Sequence, residues 1–553
     1  MEFCFRNAIG FLILVLIPNF VIAQTPSAVE QMSLEQKVGQ LFLIGFPQQS
    51  VDPKLEAFVK KYKISSFILF KRNISSLAQV AKMNSQLQKL ALSSSNSLPL
   101  IAVDQEGGQV ARVPTRPPIP NAMSVGQTQN PDLAHSLGQE TAKIIRTLGF
   151  NMNLAPVLDL SNPERESFIG LRSFGSDAQK VSSIGVSLSR GLLDEGVIPT
   201  AKHFPGVGSV LDDPHKKVVT TKVSAETLYE RDLKPFEDFA KLGSNTAIML
   251  SHFSYPSLDS SNTPATISPQ IIKEILRKKV GYSGLVITDD IQMKGLSEVS
   301  NSHEAALQAL KAGADIIMMT WSFKDQEKAI ERVKEAVLKG ELSEDELNEK
   351  VNRILAVKNF LLDNSPQKED VKNPNIVALS TKKLREIESR ILDFNIRSAL
   401  RRPEDLPSRL PTSLKDDEVS EKTPVCVFSP VNEFITSFKK SALPVRGIKT
   451  TAKTSAQMLV DYMKKHSCNQ AVYAVYGPKT AVVLTKLPRD LARKILVINL
   501  NTPSLVPDSG KFLNVVNLYF AHPDAGKRIG ENLRGLARRS FFEDDVTNTT
   551  SNQ

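Results

Sequence analysis

Between Lys202 and His215 the chain reads KHFPGVGSVLDDPH, and four of these residues, Lys202, His203, Asp213 and His215, carry groups that hold charge or move protons. The chain has only seven histidines in 553 residues. A loop that merely joins two elements needs glycine and proline, not two imidazoles. Asp213 and His215 stand one residue apart. A carboxylate beside an imidazole fixes its tautomer and favours its protonated form, which suits His215 to proton transfer near neutral pH. Asp289, in GLVITDDIQM, ends an apolar run. A carboxylate held there suits attack on an electrophilic carbon. A nucleophile on one strand and a proton donor on another loop are what cleavage of a glycosidic bond through a covalent intermediate requires.

Other readings of these residues stand beside that one. His203, after a strand, also fits a hydrogen-bonded core histidine. His203, Asp213 and His215 are residue types that bind zinc, although no Cys or HExxH-type spacing accompanies them. Asp290 can cap the turn that follows it. Trp321, the only tryptophan, suits either a sugar face or packing at a rim.

Such residues need elements to position them. The apolar runs GQLFLIGF, ISSFILF, LPLIAVD, FNMNLAPVLDL, VIPTAKHF, TAIMLSHF, GLVITDD and ADIIMMT alternate with segments of helical spacing such as PDLAHSLGQETAKIIRTLG. Eight strand–helix units predict an α/β fold, a (β/α)8 TIM barrel over residues 30–362, with a doubly wound sheet as the alternative. Chemistry in such barrels sits at the C-terminal ends of the strands. Asp104, Asp159, Lys202 with His203, His252 and Asp289 all fall at such ends. Five strand ends converging on one rim describe a site.

After the polar linker DNSPQKEDVKNPN, a helix near 381–401 and the runs VCVFSP, AVYAVYG, KILVINL and FLNVVNLYF predict a smaller α/β domain over 375–542. Residues 543–553 are expected to be disordered. At the other end, residues 1–23 place Arg6 before an apolar run that closes on Ala23, the pattern of a secretory signal peptide. The mature chain is therefore expected to be secreted or periplasmic, without stable membrane insertion. Cys426 and Cys468 remain after cleavage, either as a disulfide or as two buried thiols. The net charge of +10 comes from 69 basic and 59 acidic residues interspersed along the chain. That pattern describes a solvated surface rather than a nucleic-acid patch.

The motifs DQEGGQVAR, IGLRSFGSD, KHFPGVG followed by DDPH, and ITDDIQM, in that order, resemble glycoside hydrolase family 3. Within it, they look like the β-N-acetylglucosaminidase branch known for peptidoglycan turnover. The resemblance covers about residues 30–360. It implies that Asp289 is the nucleophile and His215 the acid/base, with Asp213 as its partner. It further implies that Asp104, Arg112, Arg172, Lys202 and His203 hold the N-acetylglucosamine hydroxyls. The activity implied is that of a retaining exo-glycosidase acting on peptidoglycan or chitin-like fragments. Its partner is a glycan, with no metal and no organic cofactor.

The family's β-glucosidases lack the Asp-x-His loop and take a glutamate from the second domain. A β-glucosidase or another exo-glycosidase of the family is one alternative, and a catalytically idle sugar receptor is a second. Because a deprotonated histidine is neutral, transfer to phosphate is a variant of the mechanism. Two positions depart from the family pattern. Val207 stands where a second histidine is usual, and Pro214 separates Asp213 from His215 where serine is frequent. Val207 offers no side-chain hydrogen bond, and Pro214 restricts Asp213 to extended backbone.

Overall fold

The computed structural model describes residues 28–162, 169–208, 219–293, 296, 299–364, 382–401 and a set of segments between 424 and 531. Each of the eight apolar runs contains a strand: β1 (Phe42–Ile44), β2 (Ser66–Leu69), β3 (Leu100–Val103), β4 (Met152–Asn153), β5 (Ile198–Phe204), β6 (Ala247–Leu250), β7 (Leu285–Thr288) and β8 (Ile317–Met319). They pair in the order β8–β1–β2–β3–β4–β5–β6–β7. Phe42 faces Ile317 in parallel, and an isolated bridge from Ile287 to Ile316 brings β7 against β8. The parallel sheet thus curls back on itself as the expected (β/α)8 barrel. The strands read as continuous apolar runs because helices cover one face and packed side chains the other.

Several surrounding helices start where sequence chemistry dictates. Helix α1 (Leu34–Gln40) opens on a capping box between Ser33 and Gln36, and α2 (Glu344–Asp363) on one between Ser343 and Glu346. Each box satisfies two N–H groups at the helix terminus. Helix α2 also sends Lys358 under the barrel. Its buried ammonium donates to Gln40 Oε1 at 2.6 Å, to Ser65 Oγ at 2.8 Å and carbonyl at 3.1 Å, and to Ser97 Oγ at 3.2 Å. Gln40, Ser65 and Ser97 precede β1, β2 and β3, so this lysine closes the floor of the barrel, opposite the rim formed by the C-terminal strand ends. Burial pushes its pKa well below that of a free lysine.

Helix α3 (Lys382–Arg401) belongs to two cores at once. Leu384, Ile387 and Ile391 pack with the barrel core, while Leu392 and Ile396 pack with Val427, Phe434 and Ile498 of the second domain. That domain is a five-stranded parallel sheet of β9 (Val425–Ser429), β10 (Val445–Lys449), β11 (Gln470–Val475), β12 (Ile495–Asn499) and β13 (Asn514–Asn517), ordered β10–β9–β11–β12–β13. Cys426 and Cys468 form a disulfide, with Cα atoms 5.7 Å apart, which decides between the two readings of this pair. Residues 1–23 and 543–553 lie outside the described residues.

Candidate active site

The site grows from the ends of β3, β4, β5, β6 and β7. Asp104 follows β3 directly, and the chain then folds into a two-stranded ribbon, Gln105–Gly107 against Val110–Ala111. The ribbon returns Arg112 to Asp104, 3.2 Å from its Oδ2. In extended backbone, residues two apart share a face. Asp104 and Glu106 accordingly both reach Lys202, whose Nζ lies 3.0 Å from Asp104 Oδ1 and 2.6 Å from Glu106 Oε1. Arg172 closes the chain of charges with a two-pronged contact to Glu106, at 2.8 and 2.9 Å. Three cations and two carboxylates are therefore held in one network at the barrel mouth.

Burial opposes the charges of Glu106, Lys202 and Arg172, and their partners decide the outcome. Desolvation alone would raise the Glu106 pKa, but Lys202 and Arg172 bring it down to about 2. Desolvation alone would lower that of Lys202, but Asp104 and Glu106 hold it above the usual lysine value. Glu106, Lys202 and Arg172 therefore stay ionised at neutral pH. A bidentate Arg–carboxylate contact adds a fixed orientation for Arg172.

Asp159, at the mouth beyond β4, organises the segment after β5. Its Oδ2 accepts from the His203 main-chain nitrogen at 3.1 Å and faces His203 Nδ1 at 2.7 Å; its Oδ1 accepts from the Val207 main-chain nitrogen at 2.8 Å. The peptide bonds Lys202–His203 and Phe204–Pro205 are both cis. With Nδ1 turned to the carboxylate, Nε2 is the nitrogen left for other contacts. The Val207 side chain is buried in the core. Its main-chain N–H, donated to Asp159, fixes the chain at this position. Gly208 then passes so close to the main chain that a Cβ there would lie 1.5 Å from the Leu160 carbonyl oxygen. Asp213, Pro214 and His215 lie outside the described residues.

Asp289 terminates β7, its main-chain nitrogen donating to the Leu250 carbonyl of β6 at 3.3 Å. Burial works against its ionisation, yet His252, His203 and Lys202, with an N–H from Asp290 at 2.8 Å, hold its carboxyl below the usual carboxylate range. His252 sits behind it, Nε2 3.0 Å from the Asp290 carbonyl oxygen and Nδ1 2.6 Å from Thr266 Oγ1. Asp290 behaves differently from its neighbour. Its side chain accepts from the Gln292 main-chain nitrogen at 3.1 Å and from the Thr320 hydroxyl, and burial pushes its pKa up to about 6. It caps the turn that follows it, as the sequence suggested. An ionised carboxylate on one strand end, set among cations, can attack a carbon centre; the adjacent carboxyl is occupied with structure.

Of the residues singled out in the sequence, Asp104, Arg112, Arg172 and Lys202 are joined in one network, and His203 and Asp289 face the same mouth. Glu106 and Arg72 were not singled out. Glu106 lies inside DQEGGQVAR, two residues from Asp104, and that spacing was the available signal. Arg72 follows β2 and donates to the Thr320 carbonyl at 2.7 Å, for which the sequence carries no pattern. Among the described residues, no group of three or more His, Cys, Asp or Glu is placed to hold a metal ion, and no helix is long and apolar enough to cross a membrane.

The model of the glycosyl hydrolase family 3 N-terminal domain matches residues 33–357, the barrel with all of these strand ends. The chain belongs to glycosyl hydrolase family 3. Among family relatives, Beta-hexosaminidase A of Pseudoalteromonas piscicida is 30% identical over 334 residues, 56% of this chain and 56% of that protein. The chain thus spans little more than half the length of that relative. An uncharacterized secreted glycosyl hydrolase of Arthroderma benhamiae is 32% identical over 337 residues, 60% of this chain and 94% of that one. Among solved family 3 structures, the β-N-acetylglucosaminidase of Paenibacillus sp. str. FPU-7 superposes with a TM-score of 0.77 at 28% identity, covering 91% of this chain and 97% of that one. That coverage takes in the second domain as well as the barrel.

Proposed function

We propose that the chain is a retaining exo-glycosidase of the β-hexosaminidase type, releasing terminal β-linked N-acetylglucosamine from peptidoglycan or chitin-like fragments. The observation that carries this reading is Asp289, ionised at the end of β7 and flanked by the Asp104–Lys202–Glu106–Arg172 network. Asp289 attacks the anomeric carbon while His215, protonated and paired with Asp213, gives its proton to the leaving oxygen. The bond from carbon to that oxygen breaks as the glycosyl–Asp289 ester forms. His215, now neutral, takes a proton from water, and the water oxygen displaces Asp289 with the β configuration restored. Asp104, Arg112, Arg172, Lys202 and His203 grip the sugar hydroxyls. Residues 1–23 direct export, which places the enzyme with extracytoplasmic glycans.

The test is release of 4-nitrophenol from its β-N-acetylglucosaminide and from its β-glucoside, by wild type and Asp289→Ala. Turnover of the N-acetyl substrate alone, abolished in the variant, is the expected result. Preference for the glucoside, or activity that survives the substitution, would sink the reading.

A further inference from the structure

Trp321, the chain's only tryptophan, stands 65% exposed two residues past β8. An aromatic this large and this open, at the C-terminal rim of the barrel, calls for an explanation. Its main-chain nitrogen donates to Gln292 Oε1 at 2.9 Å, and the preceding residue, Thr320, gives its hydroxyl to Asp290. Both partners lie within three residues of Asp289, so the loop after β8 is stitched to the loop that follows the ionised carboxylate.

The ring is also backed. The Arg72 guanidinium carbon lies 4.6 Å from its centroid and 4.4 Å from that of Phe70, and Arg72 is anchored on the Thr320 carbonyl at 2.7 Å and the Phe46 carbonyl at 3.3 Å. Arg72 thus lies over both rings, and the indole is braced on that side while most of its surface is open to water.

We infer that Trp321, braced by Arg72, is the platform for the sugar on the leaving-group side of the scissile bond. This rests on the exo-glycosidase reading given above. An exo-enzyme draws one sugar into the mouth, and the next ring, joined through the oxygen that leaves, emerges at the rim. A β-linked pyranose with equatorial substituents presents axial C–H groups, an apolar face that an exposed indole covers well. The loop of Trp321 is tied to the residues after Asp289, so the platform keeps a fixed height relative to the carbon attacked. The ligand class is a β-linked N-acetylglucosamine oligosaccharide of at least two rings.

A sole tryptophan makes the test direct. The full chain carrying Asp289→Asn, which binds without turnover, is titrated with N,N′-diacetylchitobiose and with free N-acetylglucosamine. Tryptophan emission and heat of binding are followed together. The expected result is emission that moves to shorter wavelength and saturates with the disaccharide but not with the monosaccharide. Trp321→Ala should weaken disaccharide binding about tenfold, with Trp321→Phe recovering most of it. Binding heat from the disaccharide with unmoved emission overturns the platform and leaves the exo-glycosidase reading standing. Equal emission changes with both sugars also overturn it, because the ring would then touch the terminal sugar. No heat and no shift with either sugar overturns both.

Discussion

Asp159 holds His203 by two bonds, 3.1 Å to its main-chain nitrogen and 2.7 Å to its Nδ1, while its other oxygen holds Val207 at 2.8 Å. One buried carboxylate thereby sets the backbone, the ring and the tautomer of a histidine at the barrel mouth. Asp159→Ala should lower kcat/KM on the aryl N-acetylglucosaminide by about a hundredfold through misplacement of His203. Most of that loss should appear in KM. It should also cost roughly 1–3 kcal/mol in denaturant unfolding, since buried donors lose their acceptor. A variant that loses stability while keeping wild-type KM would show that the clamp serves the fold alone.

Glu106 is the hinge of the charge network, bound to Lys202 at 2.6 Å and to Arg172 at 2.8 and 2.9 Å. Glu106→Gln removes the counter-charge shared by the buried Lys202 and the partly exposed Arg172 and should destabilise the barrel by about 3 kcal/mol. The pH dependence has a definite sign. The Glu106 pKa, about 2 in the folded state, lies below its ordinary value of 4.5. Its contribution is thus present above that ordinary value and is lost as pH falls through about 2. Thermal unfolding from neutral to strongly acid pH should be steeper for wild type than for Glu106→Gln; parallel curves would contradict the assignment.

Asp290 runs the other way. Its pKa is raised from 3.8 to about 6 by burial, so wild-type stability should fall as pH climbs from 3.8 to about 6 and gain no further slope from this residue above that. Asp290→Asn imitates the neutral form. The melting temperature of the variant relative to wild type should therefore rise between pH 4 and about 7. A difference that stays constant with pH would mean that Asp290 does not titrate in this window.

The C-terminal domain offers a separate prediction. The disulfide joins residues 42 positions apart, a loop whose closure is worth about 4 kcal/mol in the chain-entropy account. Reduction should shift the unfolding of that domain and leave 4-nitrophenol release by the barrel in place. Loss of activity on reduction alone would tie the two domains together more closely than their sequence separation suggests.

Much of this was legible beforehand because a parallel barrel writes itself plainly. Each strand, buried on both faces, reads as an unbroken apolar run, and the first polar residue past it marks the rim. Asp104 and Asp289 were readable on that logic. Glu106 was harder, since it sits on a ribbon too short to show alternation, and its importance comes from Lys202, 96 positions away in the chain. The roles of Asp159 and Val207 depend on a main-chain hydrogen bond, which no side-chain pattern announces. At Val207 the contact that the structure shows is the main-chain N–H to Asp159, which its apolar side chain does not announce.

Lys358 has a consequence for how the chain comes together. It bonds Gln40, Ser65 and Ser97 across 318, 293 and 261 positions of sequence. A ribosome has therefore finished almost the whole barrel before the residue that seals its base exists. Until then the polar groups beneath the first three strands wait in water, and β1 waits for its partner β8. Contacts of such long range are late and cooperative. The barrel is thus made as a whole, and a chain that stops short of α2 should yield no half-barrel with a working rim.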